Sequence, residues 1–280
     1  MFFGFCCALW GAALKGIRLG FLVRQSAAFA VRYTGTLNGE EVLKMAKKFN
    51  RILLKVSGEA LAGEKGTGFD EPTMESICSG IKAAYDEGVQ IGVVVGGGNF
   101  WRGRSSGKIE RTCADNIGML ATVMNALALA DCLQNAGVPA KVMTSVAMPQ
   151  VASVFTRDDA VAALEAGQVV IFGGGTGCPF FSTDTASALR GLEIGADAMF
   201  KATMVDGVYN KDPKKNPDAV RYEKLSFTKV LQDRLQVMDG TAATLCRENK
   251  LDIMVFDLSD PANIARAVRG ESVGTLVTEE

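Results

Sequence analysis

Short apolar segments that run directly into glycine alternate with segments of helical periodicity between residues 51 and 277, and this alternation limits the possible folds more than any other feature. Continuous apolar strands separated by helices are typical of a parallel sheet that is covered on both faces. The sequence therefore predicts an α/β fold with a mostly parallel central sheet. No linker divides this segment, although its two halves can form lobes around one cleft.

The predicted strands and helices follow one another through short connections. Apolar runs predict strands at 51–57, 90–95, 140–146, 168–172, 198–202, 252–256 and 274–277. Helical periodicity predicts helices at 70–87, 115–135, 158–166, 183–193, 241–249 and 263–269. The segment 206–222 is rich in turn residues.

Three predicted strand ends carry glycine turns that let a ligand approach the backbone closely. These turns are Ser57-Gly58, 96–99 and 173–177. In parallel sheets, ligands collect beyond the carboxyl ends of strands, where successive glycine amides converge on an anion. Neither the P-loop pattern nor the dinucleotide-binding fingerprint is present. The sequence therefore predicts a phosphate site of another kind, and an ordinary bend is the alternative interpretation of any single turn.

Composition excludes several mechanisms and partners. The chain contains no histidine, which excludes imidazole bases, Ser-His-Asp and Cys-His nucleophiles and histidine-bound zinc. A net charge of −1 argues against a nucleic-acid partner, because such partners are bound by clustered cations. Seven cysteines without CxxC spacing are typical of reduced thiols in a cytosol-like compartment.

Residues 1–44 differ from the rest in composition, and we predict an N-terminal extension followed by one domain over 45–280. The first 39 residues carry four cations and no acidic residue. An organelle transit peptide has this composition, and a translation start at Met45 is the alternative. A membrane anchor is a third interpretation. Lys15 argues against it, because it interrupts the apolar run that a membrane span needs. The predicted location is cytoplasmic, or a plastid or other organelle if the extension is a transit peptide, and no membrane partner is predicted.

Charged residues near the glycine turns are candidates for phosphate chemistry. Lys55 and Lys201 lie inside predicted strands, and Arg102 follows the second glycine cluster. Such cations can balance phosphate charge, whereas an outward-facing, solvated position is the alternative for Lys55. Asp184 lies in the first turn of a predicted helix, where a carboxylate also serves as a simple complement to the helix dipole.

Seven segments taken together resemble the bacterial-type uridylate (UMP) kinases of the amino-acid kinase family. They are KVSGEALAG (55–63), VVVGGGNFWRG (93–103), CADNIGMLATVMNALAL (113–129), MPQVA (148–152), GGGTGCPFFSTDTASALR (173–190), FKATMVDGVYNKDP (200–213) and VMDGTA (237–242). The resemblance implies a three-layer αβα sandwich that transfers phosphate from ATP to UMP in pyrimidine nucleotide biosynthesis. It also implies dependence on Mg²⁺, a homohexamer, activation by GTP and inhibition by UTP.

By motif, the resemblance assigns residues to each substrate. The residues expected to hold ATP are Lys55, Val56, Ser57, Gly58, Gly98, Arg102, Thr203, Tyr209 and Asp212. The residues expected to surround UMP are Gly97, Asp115, Thr176, Gly177, Cys178, Pro179, Phe180, Phe181, Ser182 and Thr183. Those expected to be catalytic are Lys55, Arg102, Asp184, Lys201 and Asp239, of which the two aspartates organise the catalytic lysine and the metal. No side chain is assigned as a dedicated metal ligand.

The sequence departs from the family pattern at four places. Cys178 stands where the family usually has asparagine, so a polar contact near uracil is lost or passes to the backbone. Met204 replaces a common lysine and Gly240 a usual alanine, and residues 1–44 lie outside the pattern.

The implied reaction needs no histidine, because a phosphate monoester with a second pKa of about 6 is mostly ionised at neutral pH. We therefore expect catalysis by positioning and charge neutralisation. Two alternatives are a sibling kinase acting on a carboxylate or carbamate, and a nucleotide sensor that binds without turnover.

Overall fold

Strands and helices alternate along the part of the chain that the computed structural model describes, namely residues 49–101, 108–213, 215–235 and 237–279. The strands are β1 Arg51–Val56, β2 Gln90–Val95, β3 Ala140–Thr144, β4 Ser153–Val154, β5 Val169–Gly173, β6 Ala198–Thr203, β7 Val208–Tyr209, β8 Arg221–Tyr222, β9 Lys224–Ser226, β10 Asp252–Asp257 and β11 Gly274–Thr278. The helices are α1 Gly58–Leu61, α2 Glu71–Asp86, α3 Arg111–Asn135, α4 Arg157–Glu165, α5 Thr183–Glu193, α6 Phe227–Gln232, α7 Gly240–Glu248 and α8 Ala262–Val268.

Nine of these strands form one sheet in the order β4-β3-β5-β2-β1-β6-β10-β11-β9. All neighbouring pairs are parallel except β10 and β11. The predicted mostly parallel α/β sheet is therefore confirmed. In the parallel block the carboxyl ends of β2, β1 and β6 meet at one edge, and the segments that follow them meet there too.

Side chains of the central strands alternate between two cores, one on each face of the sheet. Ile52 and Leu54 of β1 belong to the core on one face, whereas Leu53 belongs to the core on the other. A strand places residues two positions apart on the same face, so Lys55 lies on the face of Leu53. Helix α5 packs against this second face, where a Cβ on Gly191 would lie 3.5 Å from Leu53 Cβ. The fold therefore packs α5 against the face of the sheet on which Lys55 lies.

The segment 206–222 contains more regular structure than the sequence predicted. Strands β7 and β8 pair as an antiparallel hairpin there. Strands β4 and β9 and helices α1 and α6 also lack a predicted counterpart. Strands of two or three residues and helices of fewer than two turns show too few periods for a pattern to be recognised.

Helix α3 begins at Arg111, four residues before the predicted start. The carboxylate of Glu110 caps it by accepting a hydrogen bond of 3.0 Å from Cys113 N. By length and composition α3 is apolar enough to span a membrane. Its residues Leu129 and Leu133 are fully buried in the protein core, however, so we interpret it as a core helix. The predicted extension 1–44 lies outside the described residues.

Candidate active site

A cleft of about 690 Å³ opens where β2, β5 and β6 end. The glycine cluster after β2 and the glycine cluster after β5 form two of its walls, and the start of α5 closes the third. This is the edge at which parallel sheets bind ligands.

Two lysines and one aspartate form a charged centre beside this cleft. Lys55 and Lys201 are direct partners in the register of β1 and β6. Lys55 Nζ lies 3.3 Å from Asp184 Oδ1, and Lys201 Nζ lies 2.7 Å from Asp184 Oδ2. The exposed fraction of the side chain is only 13% for Lys55, 12% for Lys201 and 16% for Asp184. One carboxylate thus serves two ammonium groups, and the three side chains together carry a charge of +1.

The environment keeps Asp184 ionised. Burial by itself raises the pKa of its carboxyl group, but the charges of Lys55 and Lys201 outweigh burial and hold that pKa below the ordinary value. The pKa of Lys201 is lowered mainly by burial, which together with the charge of Lys55 outweighs the attraction of Asp184. Asp184 is therefore a fixed negative charge that holds two cations, and it is unsuited to accept a proton at neutral pH.

Helix α5 is fixed at its first turn by hydroxyl groups. Ser182 Oγ accepts hydrogen bonds from the backbone N–H groups of Asp184 at 3.0 Å and Thr185 at 3.2 Å. The Ser182 hydroxyl in turn donates to Asp239, which also accepts from Thr185 Oγ1 and from Ala242 N, at the start of α7. Ser182 is thus the N-cap residue of α5. Asp184 lies in the first turn, as the dipole interpretation of the sequence expected, and its side chain also pairs with both lysines.

Close backbone packing requires glycine in the two turns nearest this centre. A Cβ on Gly58 would lie 2.8 Å from the backbone N of Gly98. A Cβ on Gly97 would lie 2.9 Å from the carbonyl oxygen of Gly118 in α3. Side-chain carbons essentially never approach so closely, so these glycines are there because backbones touch backbones. The amides of both turns can consequently face one bound anion.

A buried pair of asparagines holds the second turn in place. Asn125 Nδ2 of α3 donates to the carbonyl oxygen of Gly96 at 2.6 Å. Asn125 and Asn99 also exchange side-chain hydrogen bonds, and both residues are almost fully buried. Sequence reasoning did not find Asn125, because a polar residue in an apolar helix shows no partner until the helix is packed.

The glycine segment after β5 is tied to the loop that follows β3. Gly174, Gly175 and Gly177 all have positive φ angles, which glycine adopts at little cost. Ser145 Oγ donates to the carbonyl oxygen of Gly175 at 2.7 Å, and Arg190 Nη2 of α5 donates to Ser145 Oγ at 2.9 Å. This cleft wall is therefore held from two sides.

The far wall of the cleft combines Asp115, Arg111 and Phe180. Asp115 Oδ2 accepts hydrogen bonds of 2.8 Å from Arg111 Nε and of 2.8 Å from the backbone N–H of Phe180. The Arg111 guanidinium also lies over the Phe180 ring, 5.3 Å from its centroid. Phe180 has a φ of 74°, a left-handed conformation that costs a non-glycine residue roughly 1–2 kcal/mol. Unusual backbone geometry of this kind clusters at ligand sites.

Comparison with known proteins shows the family to which this fold belongs. The model of the amino acid kinase family matches residues 50–257. The chain belongs to the amino acid kinase family. A crystal structure of UMP kinase from Bacillus anthracis is 40% identical, has a TM-score of 0.81, and aligns over 83% of this chain and 97% of its own.

Two further solved structures are similar to this chain over most of its length. UMP kinase from Ureaplasma parvum is 34% identical with a TM-score of 0.78, over 82% of this chain and 98% of its own. Uridylate kinase from Archaeoglobus fulgidus is 28% identical with a TM-score of 0.61, over 81% of this chain and 99% of its own. The resemblance found in the sequence is therefore confirmed at the level of fold and family.

Within this amino acid kinase fold, the cleft gathers many of the predicted site residues. Those that line it are Gly97, Gly98, Asp115, Thr176, Cys178, Phe181, Ser182, Thr183, Asp184, Lys201 and Asp239. Lys55 joins them through its ion pair with Asp184. The solvated alternative for Lys55 is wrong, because its side chain is mostly buried.

The remaining predicted residues lie around the cleft. Val56, Ser57 and Gly58 form the turn that abuts Gly96, and Gly177, Pro179 and Phe180 belong to the loop that forms the cleft wall. Thr203 ends β6, while Tyr209 lies in the β7–β8 hairpin and donates to Asp206. Asp212 follows that hairpin strand and pairs with Lys215 at 3.5 Å. Arg102 lies outside the described residues, and its role stays a prediction.

Several cleft residues were not among those that the sequence assigned individually to a substrate or to catalysis, although Gly175 belongs to a predicted glycine turn. They are Trp101, Arg111, Ala114, Gly118, Met119, Thr122, Gly175, Val237 and Met238. Arg111 carried a recognisable signal, since it precedes Asp115 by four residues, the spacing of a helical ion pair. The Trp101 indole N–H donates to Ala114 O at 2.8 Å, a tertiary contact that no spacing reveals.

The charged centre fits a magnesium ion carried by substrate phosphates. The described residues contain no group of three or more carboxylate or thiol ligands. Asp184 is engaged by two lysines, and Asp239 accepts hydrogen bonds from hydroxyls and an amide. Magnesium is commonly bound by phosphates and water with one or two carboxylates nearby, and these two carboxylates suit that arrangement.

Proposed function

We propose that this chain is a UMP kinase, which transfers the γ-phosphoryl group of ATP to UMP and yields UDP and ADP. The observation that carries the proposal is the Lys55–Asp184–Lys201 centre, placed between the glycine turns and the Asp115–Phe180 wall of a single cleft. Similarity to UMP kinases over more than four fifths of the chain supports the choice of substrate.

The charged centre suits a reaction between two anions. The acceptor phosphate of UMP is already ionised, so no general base is needed, and the chief barrier is electrostatic repulsion. Lys55 and Lys201 are pre-positioned by Asp184 and present charge to the phosphates without having to reorganise. We infer that Arg102 adds a third cation on the ATP side.

Different parts of the cleft are proposed to bind different parts of the two substrates. The backbone amides after β1 and β2 are proposed to bind phosphates, since both turns are packed so tightly that their N–H groups are fixed. Asp115 is proposed to bind the sugar hydroxyls of UMP, with residues 176–183 around its base and phosphate. Thr203, Tyr209 and Asp212 are proposed to contact the ribose and adenine of ATP.

When bound with ATP, Mg²⁺ neutralises phosphate charge. Asp184 and Asp239 are the carboxylates beside the lysines that would hold its water ligands. Their positions on α5 and at the start of α7 are linked through Ser182 and Thr185, so both carboxylates are held by one hydrogen-bond network.

An ADP-release assay tests the proposal. Purified protein is incubated with ATP and Mg²⁺ and with UMP, CMP, acetylglutamate or aspartate in parallel. We expect release with UMP far above the other acceptors. Release with acetylglutamate or aspartate alone would identify a sibling kinase, and nucleotide binding without release would identify a sensor.

We further propose a homohexamer that GTP activates and UTP inhibits. An exposed apolar stripe on α3 supports self-association: Leu120, Met124 and Leu127 recur at helical spacing and are 52%, 46% and 37% exposed. Light scattering after gel filtration tests the hexamer, and Leu120→Asp should yield smaller species. The ADP-release assay with added GTP or UTP tests the regulation.

A role in pyrimidine nucleotide biosynthesis follows from the proposed product UDP. We propose a cytoplasmic location, or an organelle if residues 1–44 are a transit peptide. Sequencing the N-terminus of the mature protein distinguishes removal of the extension from a start at Met45.

A further inference from the structure

Arg111 contacts two predicted UMP-binding residues at the same time. Its Nε donates to Asp115 Oδ2 at 2.8 Å, and its guanidinium covers the ring of Phe180. We propose that Arg111 is a positioning residue, which sets the carboxylate of Asp115 and the backbone of Phe180 for the sugar and base of UMP. The inference rests on the proposed function and extends it to the question of how the sugar is selected.

The conformation of Phe180 needs external support. Its φ of 74° is unfavourable for an aromatic residue, and its side chain is 65% exposed, so burial does not hold it. The hydrogen bond from Phe180 N to Asp115 Oδ2 and the contact of the ring with Arg111 both support it. Both contacts depend on the same two side chains of α3.

Arg111 also fixes the Asp115 carboxylate itself. The two residues are four apart in the first turns of α3, so the helix aligns them. Oδ2 of Asp115 accepts from Arg111 and from Phe180, which leaves the carboxylate little freedom to rotate. A carboxylate that is fixed in this way discriminates sharply between a sugar with a hydroxyl and one without, because a missing hydroxyl leaves an unmatched acceptor.

The geometry of arginine is essential to this role. A planar guanidinium can donate along its edge while its face lies on an aromatic ring, which an ammonium group cannot do. Lysine at this position would keep the ion pair with Asp115 and lose the planar contact with Phe180. Methionine would lose both and keep most of the side-chain volume.

Calorimetric titration with UMP and with 2′-deoxy-UMP tests the proposal in the full-length protein. We expect the wild type to bind UMP about tenfold more tightly than 2′-deoxy-UMP, the effect of one hydrogen bond to a charged group. Arg111→Met should weaken UMP by about tenfold and 2′-deoxy-UMP by much less, so that the ratio approaches one. Arg111→Lys should give an intermediate ratio.

Two further variants separate positioning from other roles. Arg157→Met removes an arginine that pairs with an aspartate on the surface, at 2.7 Å, and should leave the ratio as in the wild type. Adding Arg111→Met to Asp115→Asn should weaken UMP binding less than Arg111→Met weakens it in the wild type, because the part of the effect that passes through Asp115 is already lost.

Equal weakening of both nucleotides by Arg111→Met, or none, would overturn the inference and leave the proposed function intact. Equal weakening would mean that Arg111 binds the phosphate or supports the fold generally. Absence of UMP binding to the wild type would instead overturn the proposed function, and this inference with it. Circular dichroism of each variant identifies a folding defect. If Arg111→Met does not fold, the ratio of the two affinities in Arg111→Lys tests the inference instead.

Discussion

Lys55 and Lys201 face each other across neighbouring parallel strands, and the single carboxylate of Asp184 holds both ammonium groups. Two like charges side by side in a nearly buried position would repel without that carboxylate. The arrangement is unfavourable for a structural core but useful for binding phosphates, which supply the negative charge that the centre lacks.

Replacing Asp184 by asparagine should therefore cost both stability and activity. The change leaves two nearly buried cations without their shared partner, which should lower the free energy of unfolding by about 3 kcal/mol. Urea denaturation at pH 7 measures this loss. Asp158→Asn is the control, because Asp158 is 88% exposed and its pair with Arg157 should contribute less than about 1 kcal/mol.

The effect of Asp184→Asn should depend on pH in a defined direction. The pKa of Asp184 is lowered in the folded protein, so its stabilising contribution is complete above the unfolded value of about 3.9. That contribution is lost as the pH falls through the lower folded pKa. The difference in unfolding free energy between wild type and variant should thus shrink in strong acid, and a difference that grows there would contradict the assignment.

The loss of activity at high pH should reflect the deprotonation of Lys201. Because burial lowers its pKa, Lys201 should lose its proton before an ordinary lysine, whose pKa is about 10.4. We expect kcat/KM, whose pH dependence reports the enzyme without bound substrate, to begin falling with rising pH below that value. Arginine stays charged, so in Lys201→Arg the remaining activity should fall only at a higher pH than in the wild type. If that pH does not change, the loss of activity reflects the deprotonation of another group.

Cys178→Asn should strengthen UMP binding. Cys178 lines the cleft and is exposed, and its thiol is a weak hydrogen-bond donor, whereas an amide both donates and accepts. We expect the dissociation constant for UMP to fall by up to about tenfold. Cys113→Asn, which makes the same change at another exposed cysteine, should leave the dissociation constant close to that of the wild type.

Two glycine-to-alanine changes should differ in outcome: Gly97→Ala should lower phosphate affinity, whereas Gly240→Ala should raise the stability of the protein. Gly97→Ala would force a Cβ to within 2.9 Å of a backbone oxygen of α3, which should displace the turn and lower phosphate affinity. A Cβ on Gly240, the first residue of α7, meets nothing within 4 Å, so Gly240→Ala should stabilise the protein by about 0.5 kcal/mol. Thermal unfolding and UMP titration of both variants measure these effects, and stabilisation by Gly97→Ala would contradict the close packing.

Sequence patterns predicted the strands and helices that are long enough to show a period. The strand at 90–95 and the helix at 183–193 have the predicted bounds. Short elements such as β4 and β9 were not predicted, and the antiparallel orientation of β11 leaves no mark in an apolar run. Glycine turns and motif similarity indicated which residues belong to the site, because these features are local in sequence.

The sequence by itself determined the family, the mostly parallel sheet, the positions of the glycine turns and the absence of histidine chemistry. Only the tertiary structure decided that Lys55, Asp184 and Lys201 share one ion-pair network, that Ser182 is linked to Asp239, and that Arg111 contacts both Asp115 and Phe180. The reason is physical: propensity and periodicity act between neighbours in the chain, whereas strand register and helix packing fix which distant side chains meet.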